Sequence, residues 1–238
     1  MLNVSNKIYF IADDDVSLQL AINRIYTERF INDDAMYFTC QVDKSFTLEE
    51  AGSRYFSKRQ ELSKWAGEIY PQLSGVENHA QMKILHDLQS HDFFDYKIIN
   101  GTEYPYRSKK VMKHSLPFKD EGERYINVLS PIKNLSDLEL ASLLLQVNNR
   151  AIDTYFKSIR RKLSVLERPL VTDRGYGKCY IYANYNPKYA QQIITIFRTV
   201  YNFCTLQGSG LKEDKKTPAM KKGIANKVYI VNDILYFR

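Results

Sequence analysis

The chain has 238 residues, of which 44% are hydrophobic and 13% aromatic, including 18 tyrosines. That apolar content fills a core for one large domain or a domain plus an extension, and it excludes a disordered chain. The formal net charge of +7 favours a polyanionic partner, without choosing between DNA, RNA and a membrane surface.

The three cysteines, Cys40, Cys179 and Cys204, are scattered and form no CxxC pair. Neither a disulfide framework nor a zinc knuckle is expected, and a reducing compartment fits best. No apolar run approaches the roughly 18–20 residues that span a bilayer. The opening "MLNVSNKIYF" is too short an apolar stretch for a signal peptide. The expected location is cytoplasmic, with no membrane partner.

In chain order, "KIYFIADDD" (7–15) reads as a short buried strand ending in three acids. "VSLQLAINRIYTERF" (16–30) has helical spacing, with Leu18, Ala21, Ile22, Ile25 and Tyr26 on one face. "AMYFTCQVDK" (35–44) is a second strand, rich in β-formers. Residues 47–70 read as a helix, opened by a capping box of Thr47 and Glu50. Strand, helix, strand, helix is an α/β signature.

Residues 71–135 read as an insertion. "GVENHAQMKILHDLQSHDFFDYKI" looks helical, and "NGTEYPYRSKKVMKHSLPFKDEGERY" polar, basic and turn-rich. Helical periodicity resumes over 134–167, with a break near Asn148 and Asn149. "YGKCYIYANYNP" (176–187) has the alternation of a strand or hairpin arm. Residues 188–204 form an amphipathic helix. A solvated linker, "GSGLKEDKK", then leads to a short helical turn and a strand-like tail. The expected divisions are 1–70, 71–135, 136–170 and 171–238, the last a basic C-terminal extension.

Two places carry chemistry. On the helix after Asn149, a stripe of Ile152, Phe156, Ile159, Leu163 and Leu166 is expected to be buried. Arg150, Lys157, Arg160 and Arg161 fall within about 80° of Asp153 around the axis. One acid thus stands in a row of cations. It is either an ordinary i,i+4 ion-pair residue or a ligand for a metal flanked by phosphates. The second place is "FIADDDVS". Three acids after a buried strand repel one another unless neutralised, and strand ends in α/β sheets are where sites form. The competing reading is that one of them simply caps the following helix. Hard cations such as Mg²⁺ prefer carboxylate oxygens.

Other features carry less. His79, His86, His91 and His114 match no common ligand spacing and read as solvated or packing residues. "GYGK" (175–178) lacks the spacing of a phosphate loop. Trp65 is expected in the core with Leu62 and Ile69. The tyrosine-rich "RGYGKCYIYANYNPKY" could stack on bases or merely pack.

Together, "YFIADDDVSLQLA", "AMYFTCQVDKSFTLEE", "NNRAIDTYFKSIRRKLSVLERP", "IFRTVYNFC" and "KTPAMKKGIA" resemble the later part of DDE-type insertion-sequence transposases. These have a ribonuclease-H-like core shared with retroviral integrases. The last acid of that family sits on a helix in an N-x-x-[E/D]-x-x-F-x-x-[I/L]-[R/K] setting. Here Asn148 or Asn149, Asp153, Phe156, Ile159 and Arg160 take those places, and Tyr201-Asn202 and Lys216-Thr217-Pro218-Ala219 match the motifs that follow it. The resemblance covers roughly 7–70 and 136–237.

It implies α/β architecture: a partial ribonuclease-H-like core with a helical insertion. It implies that Asp13 (or, as the alternative, Asp15) is the second acid and Asp153 the third. In the family, three carboxylates hold two Mg²⁺ or Mn²⁺ ions about 3.5–4 Å apart for in-line displacement at phosphorus. Lys157, Arg160 and Arg161, with Lys44 past the second strand, would meet DNA phosphates. Two departures follow. The third acid is Asp where Glu is usual. The first acid lies on a hairpin for which the residues ahead of Lys7 leave no room. The expectation is therefore a transposase-like DNA-binding protein with little or no strand transfer. Its other partners would be a second copy or an intact transposase. The alternative is a non-catalytic DNA-binding or protein-interaction module.

Overall fold

The computed structural model describes residues 7–107, 111–166, 170–172, 179–181, 186–206 and 215–236. It is a mixed α/β structure with a small mixed sheet. The chain divides into two compact units, Asn6–Arg150 and Ala151–Arg238.

The first unit opens with β1 (Ile8–Ala12), α1 (Val16–Ile31) and β2 (Ala35–Val42). The two strands pair in parallel, Ile8 opposite Ala35 through Ala12 opposite Thr39, so the helix is the crossover that parallel pairing demands. Asp15 caps α1, its Oδ1 accepting from Leu18 N at 3.0 Å. Next come α2 (Leu48–Ile69) and α3 (Val76–Leu88). The predicted capping box is present: Glu50 N donates to Thr47 Oγ1 at 3.3 Å and Thr47 N to Glu50 Oε2 at 2.8 Å.

The insertion holds more order than its composition announces. A hairpin of β3 (Phe94–Ile99) and β4 (Thr102–Arg107) replaces the helix expected to continue past residue 88. The period switches from helical to alternating after Ser90. Asn100 and Gly101 then supply two consecutive positive φ angles, 51° and 78°, which a two-residue hairpin turn requires. Beyond it, β5 (Met112–Lys113) and β6 (Arg124–Val128) join the main sheet, whose order is β1-β2-β6-β5. Residues 124–128 were expected in a loop region, yet β6 pairs antiparallel along β2, Phe38 opposite Val128 and Cys40 opposite Ile126. Short range hides this, because β6 is stabilised by a strand more than eighty residues earlier.

Alternation sorts the sheet's faces. Met36, Phe38, Cys40, Ile126 and Val128 face one layer, together with Ile84 of α3 and Leu140, Ala141 and Leu144 of α4 (Asp137–Gln146). Ala35, Tyr37 and Ala12 face the other, with Phe30, Ile22 and Tyr26 of α1. The helix face predicted for α1 is therefore rotated. Leu18 and Ile25 are 46% and 70% exposed, while Gln19, Ile22, Tyr26 and Phe30 turn inward. The helix is apolar nearly all round, so spacing admitted two stripes and the sheet selected one.

The break at Asn148 and Asn149 is where expected, between α4 and α5 (Arg150–Lys162). In the second unit a hairpin of β7 (Leu170–Thr172) and β8 (Cys179–Ile181) precedes α6 (Pro187–Phe203). Asn186 Oδ1 caps α6, accepting from Lys188 N and Tyr189 N. Then follow α7 (Pro218–Lys221) and α8 (Val231–Leu235). The strand expected in the tail is thus a short helix. Asp233 Oδ2 accepts from Ile230 N at 3.0 Å, and this local cap outweighs the β preference of Ile230 and Val231. Most of "GSGLKEDKK" and of the tyrosine-rich segment lies outside the described residues. Among the described residues no helix is long and apolar enough to cross a membrane.

Candidate nucleic-acid interface

The three acids after β1 have separate uses. Asp15 is the N-cap of α1, and Asp14 Oδ1 accepts from Gln19 Nε2 at 2.5 Å. Asp13, half-buried at the carboxyl end of the strand, is the acid that neither of these contacts consumes. Its charge reaches Cys40 one strand away, where it adds to a shift that burial dominates. Burial pushes the Cys40 thiol up to about 11, opposed by the Arg124 charge and by a hydrogen bond from the Asn149 backbone. Cys40 is thereby a core thiol, not a nucleophile. Asn149 itself is buried, and its side-chain Oδ1 has no hydrogen-bond partner.

Lys44 is exposed in the turn after β2. The neighbouring Asp43 accepts from Ser45 N at 3.0 Å, and the Ser45 hydrogen bonds hold its carboxyl below the usual range.

On α5 Lys157, Arg160 and Arg161 keep the row that the spacing predicts, whereas Arg150, at the start of the helix, is turned to Asp120 and Phe118. Lys157 and Arg161 are exposed and Arg160 half-exposed, while Ile159 is buried. Asp153 is half-buried beside them. The apolar stripe is turned from the predicted one. Phe156 is 46% exposed, and Tyr155 makes the helix contact instead. Its ring lies 4.9 Å from that of Tyr201 and 5.8 Å from that of Phe197, both on α6. Burial there raises the Tyr155 phenol above its ordinary value, opposed by Arg198. Aromatic pairs of this kind favour edge-to-face or tilted packing, and the spacing alone points to Phe156, the more apolar neighbour of Tyr155.

The oxygen donors of Asp13 and Asp153 suit a hard cation such as Mg²⁺ or Mn²⁺. The two acids belong to different compact units. Among the described residues no group of three or more His, Cys, Asp or Glu is placed to hold a metal ion. The described residues of each unit thus include one of the predicted carboxylates, Asp13 in the first and Asp153 in the second.

A polar cluster that the sequence did not announce lies under the end of α4. Arg124, buried at the start of β6, donates Nε–H to Leu116 O at 3.1 Å and Nη1–H to Val147 O at 3.0 Å. Its Nη2 lies 3.1 Å from His114 Nδ1. Burial is the main cause that lowers the guanidinium to about 10, with the Arg150 charge acting the same way. The cation centres of Arg124 and Arg150 lie 4.4 and 4.5 Å from the ring centroid of Phe118. Arg150 also pairs with Asp120 at 2.8 Å. A second buried charge, Glu123, is met by Lys113 at 3.0 Å and Arg54 at 3.9 Å. The signal available in the sequence was "GERY", an ion-rich tetrapeptide whose Arg sits in a strand that reads as loop.

No protein-family model, curated protein or solved structure matches this chain.

Proposed function

We propose that this protein is a DNA-binding relative of the DDE-type insertion-sequence transposases, carrying part of a ribonuclease-H-like core and having little or no strand-transfer activity by itself. The observation that carries the reading is α5, on which Asp153 stands among Lys157, Arg160 and Arg161 while Ile159 anchors the helix. Supporting it, β1 and β2 are parallel strands joined by α1, with Asp13 directly after the first. Such a strand end is where α/β sheets place sites.

In this reading the cations of α5 neutralise backbone phosphates. They supply affinity and orientation without sequence discrimination. Strand transfer requires three carboxylates, and the resemblance assigns two to this sequence, Asp13 and Asp153. The cofactor implied is Mg²⁺ or Mn²⁺, and the missing carboxylate would come from a second copy or an intact transposase.

The test combines binding and cleavage. The purified chain is titrated against labelled duplex at rising salt, then incubated with it in Mg²⁺ and in Mn²⁺. Salt-sensitive binding without nicking is expected. Efficient nicking that Asp153→Ala abolishes would make the chain a complete nuclease. Failure to bind duplex even at low salt would remove the DNA reading.

A further inference from the structure

We propose that the groove between α2, the segment 116–120 and the end of α4 is a second phosphodiester-binding surface, which holds a nucleic-acid backbone against Arg59, Lys119 and Arg150. The inference rests on the DNA reading above but concerns a different surface from the α5 row. The groove lies within the Asn6–Arg150 unit and measures about 830 Å³. That volume is far larger than an inorganic anion needs, and the groove is open to solvent, as a passing strand requires.

Its charge is the first argument. Arg59, Lys119 and Arg150 reach the groove from three separate segments of the chain, and all three are exposed. The acids in the lining are Glu77 and Asp120, and Asp120 is already paired with Arg150. Arg124 forms part of the wall, but its donors serve Leu116, Val147 and His114. The lining therefore carries an excess of cations, two of which share the ring of Phe118.

Chemistry beyond charge is the second argument. Tyr55 is a half-buried aromatic in the same lining, a side-chain type that hydrogen-bonds backbone phosphates. Gln146 and Asn148 bring amide groups to the rim. Cations, a tyrosine and amides are the combination that nucleic-acid backbones meet.

The experiment measures anisotropy of labelled duplex with the full chain over a range of salt. Arg59→Gln/Lys119→Gln removes two exposed cations and leaves the buried Arg124 cluster intact, as a thermal melt checks. Lys64→Gln/Lys222→Gln removes equal charge from elsewhere. The groove variant is expected to bind about three- to ten-fold more weakly, with a salt slope smaller by about 1.8, the value for two lost phosphate contacts. The control variant should keep most of the slope. If the wild type binds and the groove variant keeps the wild-type slope, or if both variants lose the same amount, the groove assignment is overturned while the DNA reading stands. If the wild type does not bind, both fall.

Discussion

His114 Nδ1 accepts from Arg124 Nη2 at 3.1 Å, a neutral imidazole held directly against a buried guanidinium. Leu116 N donates to the same nitrogen at 2.9 Å, and Nε2 lies 3.2 Å from Leu145 O. The ring therefore carries its proton on Nε2 and is neutral. Desolvation, then the Arg124 charge, lowers its pKa from 6.5 to about 3.

The first prediction follows from that shift. Between about pH 6.5 and about 3, the unfolded chain binds a proton at His114 that the folded chain refuses. Stability contributed by this residue is complete above pH 6.5 and is lost as the pH falls. The slope is at most about 1.4 kcal/mol per pH unit. Denaturant melts at pH 7, 6 and 5 should show the loss, and His114→Gln should flatten it. An unchanged slope in the variant would show that other groups cause the acid sensitivity.

Arg124→Met retains the aliphatic stem and removes the charge. Leu116 O, Val147 O and His114 Nδ1 each lose a donor. Replacing a buried, hydrogen-bonded charge while leaving its acceptors in place costs about 2–4 kcal/mol. Urea unfolding measures it. A loss below about 1 kcal/mol would show that water replaces the guanidinium at this position.

Gly122 has φ +104°, and a Cβ placed there would lie 2.7 Å from Phe46 Cδ2 and 3.2 Å from Asp43 O. Its backbone also pairs with that of Phe118, Gly122 N donating to Phe118 O at 3.1 Å. Gly122→Ala is expected to destabilise the fold by about 1–3 kcal/mol. Because Phe118 bears two guanidiniums, the same variant should also weaken the Arg150 contact. A thermal melt within one degree of wild type would mean that the turn relaxes freely.

On α5, Lys157→Gln, Arg160→Gln and Arg161→Gln together should reduce the salt slope of duplex binding by about 2.7. Asp153→Asn should leave the slope nearly unchanged and tighten binding a few-fold by removing a like charge from the path of the phosphates. A steeper loss from Asp153→Asn than from the three cations would show that the acid holds something that DNA binding needs.

Local patterns were legible where their cause is local. The Thr47–Glu50 capping box, the α4–α5 break at Asn148–Asn149, and the amphipathic α6 all appear where residue spacing places them. The row of cations on α5 followed from helical periodicity alone. The rotation of α5 did not, because Tyr155 faces Phe197 and Tyr201 from a distant helix and leaves Phe156 outside.

Residue order alone carries the opening α/β alternation, the Thr47–Glu50 cap and the single acid Asp153 in a row of cations. Each depends on residues within a few positions of one another. Long-range packing set the rest: 124–128 becomes a sheet strand, Gln19 rather than Leu18 faces inward on α1, and Arg124, His114 and Phe118 share one buried cluster. Those outcomes depend on desolvation and on pairing with segments far along the chain. No short-range pattern records which polar side chain will find acceptors once water is gone.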